Sequence, residues 1–407
     1  MFEPYFYVFF LIPFIYVFLK KRHFDLFSIY IVFFTYYYTP VFYSGFSILG
    51  VDYYTQVSNF TTIYFLALSL LNFSAILIFD NYFKLNKLRL EDRYYNSMKE
   101  FSFLLLSISL ICFLYIALNS SALLQTKSEL KSSIGWVLSI NLTIVSILYS
   151  INVRYKSYIP SILLFITAIL MLFAGGRSNI VFILLLVMLL KSNKKVRLIS
   201  VRNAKAIVAL VVFCLCIISY KLIYKEIKAG DFGAILTKLS VLDEVIIDLI
   251  LTDPKTVVMN FEIIYGNLSF DLLQGFKVFL SIFPFLSGVY SNIVELDSIN
   301  MSSYINDNFI MSDFGFATST FGEVYGYFGY VGLLVFPVLL ILLLYVCNRM
   351  YLKGNIIFTS FFLSSSVILF SYMHRNTLII NMGVFKFSMM VFVSFIFYCS
   401  IRKSFSK

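Results

Sequence analysis

Long apolar runs recur from one end of this chain to the other, and no other feature limits its fold so tightly. They cover 2–19, 24–44, 59–79, 101–118, 134–150, 157–174, 178–190, 205–223, 322–346, 355–373 and 377–398. An apolar run of about 18 or more residues reads as a membrane span. Each span must be helical, because lipid offers no partner to an unpaired backbone group. The expected fold is therefore an all-α polytopic membrane protein with about 11 transmembrane helices. With 60% hydrophobic and 13% charged residues in 407, a soluble domain is excluded.

The net charge of +11 raises the question of nucleic acid. Lys and Arg cluster at the ends of apolar runs, however, and form no surface patch of the kind such binding needs. Basic turns follow the first run (Lys20, Lys21, Arg22), the third (Lys84 to Lys99), the fifth (Arg154, Lys156) and the seventh (Lys191 to Lys205). Two more lie at Arg349/Lys353 and at Arg402/Lys403/Lys407. They alternate with the poorly basic turns 45–58, 119–133, 175–177, 224–321 and 374–376. The positive-inside bias then places the basic turns in the cytoplasm and the N-terminus outside. The first run carries its charges after it, which predicts a retained span and not a cleaved leader.

The expected organisation is a membrane domain over 1–223, an extracytoplasmic loop over 224–321, and a second membrane portion over 322–407. Within the loop, Phe232, Ile235, Leu236, Leu239, Leu242, Ile246, Leu249 and Ile250 recur at helical spacing, with Thr237, Ser240, Glu244 and Asp248 opposite. That pattern predicts an amphipathic helix on the membrane or over the span bundle. A weaker apolar stretch, Gly275 to Leu286, reads as a re-entrant or interfacial helix. The five cysteines fall in or beside apolar runs, so no disulfide framework is expected. Two histidines and no carboxylates at ligand spacing predict no metal, and no cofactor is expected.

Three short polar patches fall at turns expected to face outward. In Gly175-Gly176-Arg177-Ser178, the glycines admit an anion close to the backbone and a helix N-terminus adds positive potential. Arg177 there can grip a phosphate with two nitrogens; the plain alternative is an arginine snorkelling to headgroups. In His374-Arg375-Asn376, Arg375 offers a second anion site and His374 an imidazole for proton transfer. In Thr318-Ser319-Thr320-Phe321-Gly322-Glu323-Val324-Tyr325-Gly326, Glu323 stands at the mouth of a span, where a carboxylate can serve as a base. The glycines that follow allow close helix packing. The candidate catalytic set is Glu323, Arg177 and Arg375, with Gly176, Ser178, Tyr325, His374 and Asn376 lining the substrate. One cavity beneath the long loop is expected to collect them.

The Gly-Gly-Arg-Ser turn, the Thr-x-Gly-Glu-x-Tyr-x-x-Phe-Gly-x-x-Gly run after a long loop, and the late Arg375 turn together resemble bacterial O-antigen polymerases. This is the Wzy-type family of oligosaccharide repeat-unit polymerases, and the resemblance spans about Leu172 to Met382. It implies a GT-C-like glycosyltransferase in the bacterial inner membrane, with its active site facing the periplasm. Its partners would be donor and acceptor oligosaccharides linked to undecaprenyl diphosphate, membrane lipids, and a chain-length regulator. Three rivals stay open, the plainest being a structural or scaffolding membrane protein. A flippase for the same lipid-linked units would carry charges within many spans, whereas these spans are nearly clean. An O-antigen ligase would be expected to place a histidine in the long loop, and none lies between Ile223 and Thr320.

Overall fold

The computed structural model describes residues 4–19, 24–48, 51–82, 95–118, 177–191, 230–240, 242–267, 272–280 and 319–405, with isolated positions between them. The expected spans at 134–150 and 157–174 lie outside the described residues, as do 205–223 apart from Tyr220 and Ile223, and Gly176. What is described is mostly helical. The helices are α1 (Pro4–Leu19), α2 (Leu26–Tyr38), α3 (Asn59–Tyr82), α4 (Tyr95–Leu118), α5 (Arg177–Lys191), α6 (Phe232–Ser240), α7 (Leu242–Asn267), α8 (Leu272–Leu280), α9 (Thr320–Leu352), α10 (Leu363–Tyr372) and α11 (Leu378–Phe405). By length and composition, Asn59–Tyr82, Thr320–Leu352 and Gly383–Ser404 can each cross a membrane, and Phe6–Phe18, Leu26–Phe42 and Phe358–Tyr372 are shorter apolar helices. On α9, Val331, Leu334, Val335, Val338, Leu339 and Leu342 are all exposed. So continuous an apolar face suits lipid and not water. This is a helical membrane protein.

The chain divides into two compact units, the first made of Met1–Lys84, Lys195–Asn348 and Leu369–Gly383. In it the helix ends sort into two layers. At one end, Tyr16 donates to Asp80 across α1 and α3, and Phe27 packs on Phe79. There Asp25 caps α2 by accepting from the Ser28 N–H, and Asn348 bridges α9 to Asp25 and to the Leu26 N–H. At the other end lie the close of α2, the starts of α3 and α9, and the turn before α11, joined through Tyr38, Phe65, Phe321 and His374. The segment 45–58, expected as a simple turn, forms an antiparallel hairpin here, with Gly45–Ile48 (β1) paired to Val51–Gln56 (β2).

The long loop does more than cover this end. Its amphipathic pattern resolves into α6 and α7, and α7 runs beyond Ile250 to Asn267. From Thr256 to Phe261 every residue of α7 is buried, so this helix is packed all round and is not a one-faced surface strap. Gly322 permits the close approach of α9: a Cβ there would meet Ile264 Cδ1 at 2.9 Å and the Phe261 Cα at 3.5 Å.

Pro254 and Pro337 interrupt α7 and α9, and a tyrosine answers each. Pro254 lies inside α7 and has no N–H to give the carbonyl of Ile250, four residues earlier. The Tyr36 hydroxyl donates to that carbonyl at 2.6 Å. Pro337 likewise leaves the Leu333 carbonyl without its helical donor, and Tyr64 supplies one at 3.1 Å. The same helix breaks at Gly329, whose φ of 60° and ψ of −148° only glycine adopts readily.

The second unit comprises Leu85–Lys194, Arg349–Ile368 and Val384–Lys407. Met98, Phe101, Phe361, Val391 and Phe395 form its core, drawn from α4, α11 and the π turn Phe358–Phe362. Tyr351 donates to the Leu189 carbonyl in the last turn of α5, supplying a partner that a helix end lacks. Arg402 pairs with Glu100 at 2.9 Å.

Candidate functional site

The turn Met373–Thr377, between α10 and α11, is where the first unit gathers its polar side chains. Ser319 caps α9 by accepting from the Gly322 N–H, and its hydroxyl also meets that of Tyr38. Thr320, one residue on, points its hydroxyl at the carbonyls of Met373 and Asn376 and accepts from Asn381 Nδ2 at 3.1 Å. Glu323 follows on the same helix. It is 2% exposed, and its Oε2 accepts the Leu378 N–H at 2.6 Å. That N–H belongs to the first turn of α11 and has no partner within its own helix. Glu323 therefore caps α11 from the first turn of α9, and a carboxylate suits the positive end of that helix.

Arg375 lies in the held turn. Its Nη1 donates to Asp253 Oδ2 at 2.8 Å and to Tyr372 Oη at 2.6 Å. The guanidinium carbon stands 5.3 Å from the centre of the Tyr372 ring, within range for a cation–π contact. Both members of the ion pair keep about three-tenths of their side chains exposed, at 30% and 29%. Asp253 comes from α7, so the pair ties the long loop to this turn one residue before the proline that Tyr36 compensates.

His374 is not on a surface. It is fully buried among Tyr30, Phe34, Tyr37, Tyr38 and Phe321, with ring centroids 5.3 to 6.3 Å away. Neither ring nitrogen has a hydrogen-bond partner among the described residues. Burial disfavours the charged form and lowers its pKa to about 3, so the imidazole is neutral and acts here as one more ring in the core. Tyr325 is 6% exposed and packs its ring 5.4 Å from both Tyr265 and Tyr330. Asn376 contributes its backbone carbonyl to Thr320.

Of the three residues expected in one site, Glu323 and Arg375 are brought to a single turn. Arg177 opens α5 in the second unit, with Ser178 behind it, as the Gly-Gly-Arg-Ser pattern predicts. The side chains of Arg177 and Ser178 lie outside the described residues. Sequence reasoning passed over Asp253, Tyr372 and Tyr36. Asp253-Pro254 inside a helical run was the available signal, since proline there leaves a carbonyl to be satisfied by something else.

Chemically, the turn offers one partly exposed guanidinium beside a carboxylate, and one buried carboxylate held against a helix N-terminus. No group of His, Cys, Asp and Glu able to hold a metal occurs among the described residues. Comparison with family models, with curated proteins and with solved structures returns no match.

Proposed function

We propose that this chain is a surface-polysaccharide repeat-unit polymerase, a membrane glycosyltransferase of about 11 spans with a GT-C-like plan. It would act at the periplasmic face of a bacterial inner membrane on two glycans carried by undecaprenyl diphosphate. An acceptor hydroxyl of the incoming repeat unit attacks the anomeric carbon of the growing chain. The new glycosidic C–O bond forms as the bond to the diphosphate carrier breaks, and the hydroxyl proton passes to a base.

In this reading Arg375 and Arg177 stabilise the charge that develops on the departing diphosphate, as fixed cations do in a site shielded from water. Glu323 is the base. To reach an acceptor hydroxyl its buried carboxylate must exchange the Leu378 N–H for substrate, which ties activation to a shift of the 373–377 turn. The observation that carries the proposal is the convergence itself: a helix of the long loop, a span-mouth carboxylate and the Arg375 turn meet at one end of the first unit. Burial of His374 weighs against the ligase alternative, because it removes the one histidine outside the N-terminal turns from ready access.

The test is the surface-polysaccharide gel pattern of a strain deleted for this gene. Core carrying a single repeat unit is expected, with full ladders restored by the wild-type chain. Loss of every repeat unit from the core would point to a ligase or flippase instead.

A further inference from the structure

Among the described residues, Arg375 makes its polar side-chain contacts through one nitrogen. A guanidinium presents five N–H donors on three nitrogens, yet among the described residues both polar contacts of its side chain fall on Nη1, one to Asp253 and one to Tyr372. A pairing through two nitrogens is the stronger geometry for arginine and carboxylate; this ion pair does not use it. The pair is also partly open to solvent, where a single contact holds weakly.

Asp253 sits at a mechanical boundary. Before it, Ile247 is 66% exposed and Asp248 lies on the surface bonded to Lys255. After it, Val257, Val258, Met259 and Phe261 are fully buried. Pro254 interrupts the helical hydrogen bonds between the two parts, and beyond the ion pair the Tyr36 hydroxyl spans the same place. Asp253 can therefore leave Arg375 by a small movement at Pro254 without unpacking the buried half.

We propose that Asp253 is a resident competitor for the anion-binding face of Arg375: it positions the guanidinium while the site is empty and is displaced by the diphosphate of the lipid carrier. Asp253 is thus a positioning residue, and its displacement loosens the first half of α7 as substrate enters. The inference rests on the reading of Arg375 as a diphosphate contact, but it concerns binding alone and is testable without any glycosyl transfer.

The experiment uses the full chain in phosphatidylcholine nanodiscs, with inorganic pyrophosphate as the probe. Asp253→Asn removes the competing charge and is expected to tighten pyrophosphate binding by about two- to five-fold, the scale of a partly exposed ion pair. Arg375→Ala should abolish binding in either background. Tyr36→Phe loosens α7 without changing charge and should give no gain, which separates competition from simple loosening. Nanodiscs containing phosphatidylglycerol form the second arm. Pyrophosphate binding that persists there supports a diphosphate site; its loss would assign Arg375 to lipid headgroups and overturn the proposal. Unchanged or weaker binding by Asp253→Asn would overturn it equally. Should that variant not fold, hydrogen exchange on the wild-type chain decides: saturating pyrophosphate should speed exchange over 243–252 and leave 257–264 protected. No change over 243–252 would end the idea. Pyrophosphate binding with these signs in a chain that forms no polymer would retire the polymerase reading and keep this one.

Discussion

Replacing Tyr36 by phenylalanine deletes one oxygen and tests whether a tyrosine substitutes for the N–H that Pro254 lacks. The hydroxyl donates to the Ile250 carbonyl at 2.6 Å, and that carbonyl has no helical donor because Pro254 stands four residues on. Leaving a largely buried acceptor unsatisfied costs about 1–3 kcal/mol. Tyr36→Phe should therefore lose roughly 1–2 kcal/mol when unfolding is followed by SDS titration of the purified protein in mild detergent. Pro254→Ala supplies an N–H at the right place in the helix, so Tyr36→Phe in that background should lose only about 0.5 kcal/mol or less. The coupling between the two positions is then about 1 kcal/mol, within the range expected for residues sharing one partner. Equal losses in both backgrounds would show that the hydroxyl does not serve the proline-orphaned carbonyl. The reasoning that fixes Asp253 beside Arg375 through this bend would fall with it.

Three further outcomes are expected. Glu323→Gln keeps an oxygen for the Leu378 N–H and should fold at near-normal levels while chain extension stops, whereas Glu323→Ala should lose about 1–3 kcal/mol through the missing cap; full polymerisation by Glu323→Gln would leave the residue as a cap and nothing more. His374 has a folded-state pKa lowered to about 3 by burial, so the unfolded chain takes up its proton first as pH falls. The stability tied to His374 is complete above about pH 6.5 and declines below it towards pH 3, by at most about 1.4 kcal/mol per pH unit; His374→Phe should flatten that slope in thermal unfolding between pH 7.5 and 5, and an unaltered slope would contradict the burial argument. Cysteine placed at exposed position 248 should react with a membrane-impermeant maleimide in intact spheroplasts, while one at position 200 should not; the reverse labelling would invert the topology.

The apolar runs located helices well where lipid or core dictates the pattern. The run 59–79 became Asn59–Tyr82, 322–346 became Thr320–Leu352, and 178–190 became Arg177–Lys191. The helix of the long loop was legible only as far as its amphipathic stripe. Past Ile250, Thr256 and Asn260 are buried beside Val257, Val258 and Phe261, so no polar face remains to mark a period. The 45–56 hairpin was missed because four- and six-residue strands carry little alternation between glycines. Glu323 was recognised as an acid that needs a partner, but its partner is the backbone N–H of Leu378, which no side-chain pattern reveals. Asp253 was one of many loop acids, and only tertiary packing singles it out. His374 was read as facing outward from its place in a turn. Four aromatic residues of α2 surround it, a consequence of helix packing that a linear charge count does not contain.

Glycosyl transfer by the purified protein is the most direct test of the functional reading. The chain is reconstituted in liposomes with lipid-linked repeat units isolated from a strain lacking this gene, and products are resolved by length. Wild-type protein is expected to convert single units into a ladder of longer glycans on undecaprenyl diphosphate, with release of free carrier diphosphate. Arg375→Ala, Arg177→Lys and Glu323→Gln should each leave the single units largely unextended. Single units that persist unchanged with correctly folded wild-type protein, and no carrier diphosphate released, would contradict the assignment of this chain as a polymerase.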